Sequence, residues 1–146
     1  MNIYIGSDRI GFELKEKLIK VLSDGKNEII DIGPLECKSV NYPEIAVQVA
    51  SLVVNNPLSY GILICSSGIG MSIAANKVKG IRAANCTSSY LAEYSRLHND
   101  ANILCLGSSV VNLEDAISIM NIFLMTPFEG GGKHKERVQI INNIIK

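Results

Sequence analysis

No apolar run in this chain approaches the ~20 residues that a membrane-spanning helix needs. Neither sign of charge is in excess: fourteen Lys and Arg balance fourteen Asp and Glu, for a formal net charge of zero. That balance removes the broad positive field on which non-specific nucleic-acid binding depends. The start, Met1-Asn2-Ile3-Tyr4-Ile5-Gly6, has no basic segment ahead of an apolar block, so it reads as a strand and not as a signal peptide. Cys37, Cys65, Cys86 and Cys105 show no Cys-x-x-Cys spacing, which weakens zinc and thioredoxin-like readings. Gly-x-Gly-x-x-Gly, a Walker loop and Gly-x-Ser-x-Gly are all missing. A cysteine phosphatase needs arginine six positions after its cysteine, and after Cys65 that position is Met71.

What is present describes one globular domain spanning residues 1–146. A chain of this length, 47% hydrophobic and 19% charged, buries enough surface to need no staples. These features place it in the cytoplasm, with no membrane or nucleic-acid partner.

Short β-rich runs alternate with helical patterns. Strands are expected at Asn2–Ile5, Glu28–Ile32, Tyr60–Ile64, Ile81–Asn85 and, last, Asn102–Leu106. In the first helix, Ile10–Ser23, the spacing sets Ile10, Leu14, Leu18, Val21 and Leu22 on one face. Glu13, Lys15, Glu16, Lys17 and Lys20 fall on the other. Further helices fit about Glu44–Val54, Ile69–Lys77, Ser88–His98, Leu113–Met125 and about 133–146. The third and fifth strands are apolar on both faces, as parallel strands covered above and below must be. The fold class is therefore α/β: an open, doubly wound, Rossmann-like sheet of five parallel strands, ordered 2-1-3-4-5, with helices on both faces. In the last helix Val138, Ile140, Ile141, Ile144 and Ile145 make a stripe wider than one core contact needs, which points to a partner subunit.

Such sheets bind ligands beyond the carboxyl ends of their strands, where the strand order switches. Strands one and three are followed there by Ser7-Asp8-Arg9 and Cys65-Ser66-Ser67-Gly68-Ile69-Gly70. The second segment lets backbone N–H groups gather around an anion at a helix start. The same influences favour a Cys65 thiolate and an oxyanion beside it. A structural turn around a buried thiol is the other reading of these residues. Cys86 and Cys105 read as small buried hydrophobes, and Cys37 as an incidental loop residue. His98 closes a helix before the fifth strand, where it suits a helix-dipole partner or an exposed surface position equally well. Lys133, His134 and Arg137 cluster at a helix start, where positive side chains gain nothing unless an anion is present.

Gly6-Ser7-Asp8, Val40-Asn41-Tyr42-Pro43, Gly61 to Gly70, Ile73 to Lys77, Gly80-Ile81-Arg82-Ala83, His98 to Asn102 and the glycine-rich stretch to Arg137-Val138 follow one another in a familiar order. Together they resemble the type B ribose-5-phosphate isomerases, in the family that also holds galactose-6-phosphate isomerase subunits. The resemblance covers nearly the whole chain. It implies interconversion of ribose 5-phosphate and ribulose 5-phosphate, a pentose phosphate pathway step, through a cis-enediol(ate). It makes Cys65 the base and Ser67 the hydroxyl that assists proton movement between oxygens. His98 becomes the residue that helps open the sugar ring. Ser66, Gly68, Ile69 and Gly70 would hold the oxyanion through their backbone. Asp8, Tyr42 and Asn99 would contact the sugar, and Lys133, His134 and Arg137 the phosphate or its surroundings. The resemblance calls for no metal and no cofactor. It implies a homodimer with shared active sites and the last helix at the interface, or a pair of such dimers.

Departures from the family pattern include Arg9, Asn41, Ser109, Lys133 and an extra residue among Gly130, Gly131 and Gly132. Arg9 is expected to supply phosphate charge that Ser109 and Lys133 do not. A hexose 6-phosphate substrate such as allose or galactose 6-phosphate, or a non-catalytic sugar-phosphate-binding module, are the alternatives.

Overall fold

The computed structural model describes every residue from Met1 to Lys146. Its elements alternate: β1 (Asn2–Ser7), α1 (Phe12–Ser23), β2 (Glu28–Gly33), α2 (Tyr42–Asn55), β3 (Tyr60–Cys65), α3 (Ile69–Ala75), β4 (Ala83–Asn85), α4 (Ser89–Leu97), β5 (Ile103–Gly107), α5 (Leu113–Met125) and α6 (Gly132–Asn142). All five strands are parallel, so each crossover carries a helix and both faces of the sheet are covered. No helix is long and apolar enough to cross a membrane.

Alternation along the strands divides two cores. Ile3, Ile5, Ile62, Ile64, Leu104 and Leu106 face Leu18 of α1 and Phe123 of α5. Their neighbours Tyr4, Leu63, Cys65, Ile103 and Cys105 face Val49 of α2 and Met71 of α3. Because both faces are buried, β3 and β5 have no polar positions to alternate.

The sheet order is β2-β1-β3-β5-β4, which corrects the expected 2-1-3-4-5 at its tail. Ile103 to Gly107 are all buried, so β5 takes the interior place beside β3. Ala83-Ala84-Asn85 is short, half-buried and poor in β-formers, and it occupies the edge. Lys15 is a second correction. Its expected solvent-facing position is fully buried, with Nζ donating to both Asp31 oxygens at 2.8 and 2.7 Å and to the Pro34 carbonyl at 2.8 Å. Ile10 precedes α1 and is exposed, although the helical pattern put it on the buried face. At the other end, α6 stops at Asn142 and does not run to the chain's last residue.

Candidate active site

Cys65 is the last residue of β3, and alternation turns its side chain toward α2 and α3. Beyond it the chain must reverse into α3, and Gly68 makes the bend with φ +79°, a conformation that costs a side chain dearly. That bend aims the Gly68 N–H at Cys65 Sγ, 3.1 Å away. Ile69 N–H donates to Ser67 Oγ at 3.2 Å, whereas the N–H groups of Ser66, Ser67 and Gly70 bond to nothing else in the chain. Free donors at a strand tip and helix start suit an oxyanion.

Neighbouring segments hold this loop from three sides. Ser108 N–H donates to the Cys65 carbonyl at 2.8 Å, and Ser109 N–H donates to the Ser66 carbonyl at 3.0 Å. The Ser66 and Ser109 hydroxyls are also 3.0 Å apart. Gly107 is pressed so closely on Ser67 that an added Cβ would lie 2.7 Å from its carbonyl. Asn85 reaches across from β4 and donates from Nδ2 to the Ser67 carbonyl at 3.2 Å. Its Oδ1 is buried without a partner. The Tyr42 ring lies against Gly70 closely enough that a side chain there would collide with it.

Asp8 stands at the same sheet end. Its N–H donates to the Ile64 carbonyl at 3.1 Å, and its Oδ1 accepts from Gly11 N–H at 2.7 Å. The Arg9 side chain is exposed and forms no ion pair, leaving its charge free. A cavity of about 320 Å³ flanks the loop, bordered by Ile10, Lys17, Ser108 and Ser109.

His98 and Asn99 are elsewhere. They follow α4 at the amino ends of the strands, and Asn99 leads into β5 where Ile103 pairs with Gly61. Four strand steps separate Gly61 from Cys65, so the turn lies at least ~13 Å from the thiol. The turn is rigidly held. Asp100, at φ +47°, accepts from Arg96 at 2.8 Å and from Arg82 at 3.2 Å. Arg96 is buried, donates to the Ala101 and Thr126 carbonyls, and accounts for its charge locally. Burial lowers Arg82 below the ordinary arginine value; Asp100 opposes that shift and Arg96 adds to it. A cavity of about 470 Å³ adjoins this network between Tyr60, Arg82 and Asp100, and Cys65 does not line it.

His134 joins His98: their rings stack at 3.9 Å, inclined by 6°. Glu129 Oε2 approaches His134 Nε2 at 3.8 Å, and donor atoms of His98, Glu129 and His134 all lie within 4.8 Å of one another. Lys133 and Arg137 are exposed on α6. The predicted residues therefore form two groups. Cys65, Ser66, Ser67, Gly68, Ile69, Gly70, Asp8, Arg9 and Tyr42 share the carboxyl end, and His98, Asn99 and His134 the opposite end.

Arg82 and Asp100 fall inside blocks that carry the resemblance but were given no role of their own, and Asn85, Arg96 and Glu129 were not singled out from sequence. The pair Arg96–Asp100, spaced i,i+4 across a helix end, also left a local signal. Asn85 and Glu129 act across long sequence separations that no motif marks.

The model of the ribose/galactose isomerase family matches residues 3–141. Ribose-5-phosphate isomerase B of Escherichia coli is 44% identical over 142 residues, covering 97% of this chain and 95% of that protein. The solved ribose-5-phosphate isomerase B of Clostridium thermocellum superposes with a TM-score of 0.95 at 48% identity, covering 99% and 97% of the two chains. That of Mycoplasma genitalium, solved with bound ribulose 5-phosphate, gives a TM-score of 0.91 at 39% identity, over 97% and 93%.

Proposed function

This chain belongs to the ribose/galactose isomerase family, and from that premise we propose that it interconverts ribose 5-phosphate and ribulose 5-phosphate in a homodimer with shared active sites. The relatives named above support the substrate, since they are ribose-5-phosphate isomerases and one holds ribulose 5-phosphate. The observation that carries the shared site is the separation of its two halves. A thiol at one sheet end cannot meet an imidazole at the other within one chain, so each site takes Cys65 from one protomer and His98 from its partner.

His98 assists ring opening by moving the proton between ring oxygen and C1 hydroxyl. The Cys65 thiolate then takes the C2 proton of the open aldose. The electron pair of that C–H bond forms the C1–C2 double bond, and the C1 carbonyl becomes an enediolate oxygen. Free N–H groups of Ser66, Ser67 and Gly70 steady that charge, while Ser67 Oγ passes a proton from the C2 hydroxyl toward O1. The thiol returns its proton to C1, and C2 becomes the ketone. Protons and electrons balance within one substrate, so no external oxidant or reductant takes part.

Asp8, Tyr42 and Asn99 contact the sugar hydroxyls. Arg9, with its charge unpaired, joins Lys133, His134 and Arg137 at the phosphate. Lys133 binds there as a point charge without arginine's fork. The exposed Ile140, Ile141, Ile144 and Ile145 supply the apolar part of the contact between protomers.

The test is a coupled assay of ribose 5-phosphate beside allose and galactose 6-phosphates. Turnover should favour the pentose, exchange its C2 hydrogen with solvent, and fall ~10²–10⁴-fold in Cys65→Ala. A hexose preference would reassign the substrate. Ligand binding without turnover would leave a sugar-phosphate-binding module.

A further inference from the structure

We propose that His98, Glu129 and His134 form an inhibitory site for a borderline divalent transition metal such as zinc. The two imidazoles and one carboxylate are the nitrogen and oxygen donors that such ions favour, and three protein ligands leave a fourth position to water.

Local structure brings the donors together. Glu129 N–H donates to the Leu97 carbonyl at 3.2 Å, so the carboxylate-bearing residue is pinned beside the His98 turn. Gly130 at φ +74° and Gly132 at φ +59° then fold the chain back, and His134 lands face to face on His98. Donor atoms in a tetrahedral zinc site stand roughly 3.3 Å apart, given bonds of ~2.0–2.1 Å. The donors lie within 4.8 Å of one another, and because an imidazole's lone pair lies in its ring plane, the partly exposed His134 ring turns out of the stack for both nitrogens to face one ion.

Lys133, Lys135 and Arg137 on α6 oppose a cation, so the site competes with the anion they attract. A metal ion held by His98 takes up the imidazole that would move a proton at the sugar ring. Occupancy by metal and by sugar phosphate is therefore exclusive. Magnesium, which prefers oxygen ligands and keeps its waters, is a poor occupant.

The inhibition rests on the isomerase reading, but binding does not, and the experiment keeps them apart. Calorimetric titration of Zn²⁺ into full-length Cys37→Ser/Cys65→Ser protein, in a non-chelating buffer, reads binding without exposed thiols or turnover. One ion per chain is expected, and adding Glu129→Gln should weaken it more than ~10-fold, since even outer partners of metal ligands matter that much. In wild-type enzyme Zn²⁺ should raise the apparent KM for ribose 5-phosphate, Mg²⁺ should not, and EDTA should reverse the effect. Glu129→Gln should keep the metal-free rate and resist the ion. Binding that disappears with the two thiols, or that Glu129→Gln leaves unchanged, overturns the proposal. Zn²⁺ binding at this site with unchanged KM overturns the inhibitory role alone.

Discussion

Mixing two inactive variants tests the division of the site between protomers. Cys65→Ala removes the proposed base and His98→Ala the proposed ring-opening group, so each homodimer should retain ~10⁻²–10⁻⁴ of the wild-type rate. Co-refolded at equal amounts, the chains pair at random and half of the dimers are hybrids. Within a hybrid, one site takes Cys65 from the His98→Ala chain and His98 from the Cys65→Ala chain, and is intact. The other site has neither group. Half the dimers with one of two sites working gives about a quarter of the wild-type activity. Across mixing fractions f the recovered activity follows f(1 − f), peaking at equal proportions. The alternative gives a different number. Were Cys65 and His98 of the same chain to meet, each site of every hybrid would lack one group, and recovery would stay at the parental residue. The separation of at least ~13 Å is far beyond the reach of a side-chain rotation. Steady-state rates of the mixed series decide the matter; a line lying flat at the parental level would refute the shared site.

Gly107→Ala places a Cβ against the Ser67 carbonyl, and neither backbone can yield without moving the loop. Its kcat should fall by about 10², as a displacement near 1 Å allows, and an unchanged kcat would show that the loop's position is not critical. Iodoacetamide at about pH 7.5 should label Cys37 quickly and Cys65 more slowly, with ribose 5-phosphate protecting only Cys65. Burial pushes the Cys86 thiol up to about 11 and raises Cys105 well above its ordinary value. Both therefore stay protonated at that pH and should be unlabelled by peptide mass spectrometry. Lys15→Met leaves the Asp31 carboxylate without its cation and the Pro34 carbonyl without its donor, costing about 2–4 kcal/mol and lowering Tm by roughly 6–12 °C in a thermal melt. A Tm unchanged within error would show that the pair contributes nothing net. Ile144→Asp, at an exposed position of the isoleucine stripe, should shift sedimentation toward monomer and remove activity together. Active monomers would contradict the interface.

The strand β3 and its loop were legible because two local signals coincide: an apolar run with no alternation, then small residues that only a turn requires. The order of the last two strands was not. Sequential strands usually neighbour each other, and that habit placed β4 inside, although Ala83-Ala84-Asn85 offers little to bury. Lys15 misled for a related reason. A charged residue beside Glu16 and Lys17 reads as a solvated face, and its partner Asp31 lies on another element sixteen residues away. The Ser66–Ser109 contact and the Asn85 clamp share this character. They depend on which loops the sheet brings together, a property of topology that no window of sequence holds.

The proposed division of the site was nonetheless open to deduction from the order of elements. In a wholly parallel sheet every loop that follows a strand emerges at one end, and every turn that follows a helix emerges at the other. Cys65 ends a strand and His98 caps a helix. Their separation therefore follows from direction alone, whatever the strand order, and the correction at the sheet's tail leaves it untouched. A reaction that needs both groups must then bring the carboxyl end of one sheet against the amino end of another. A two-fold axis does this twice at once, because the contact that delivers His98 to one Cys65 also returns the partner's His98 to the other. A shared site would also give a use to firmly held residues outside the proposed chemistry. Arg82, Arg96 and Asp100 fix the turn that carries His98 at the sheet end away from its own chain's thiol, and in a shared site their rigidity would set how accurately that turn meets a neighbour.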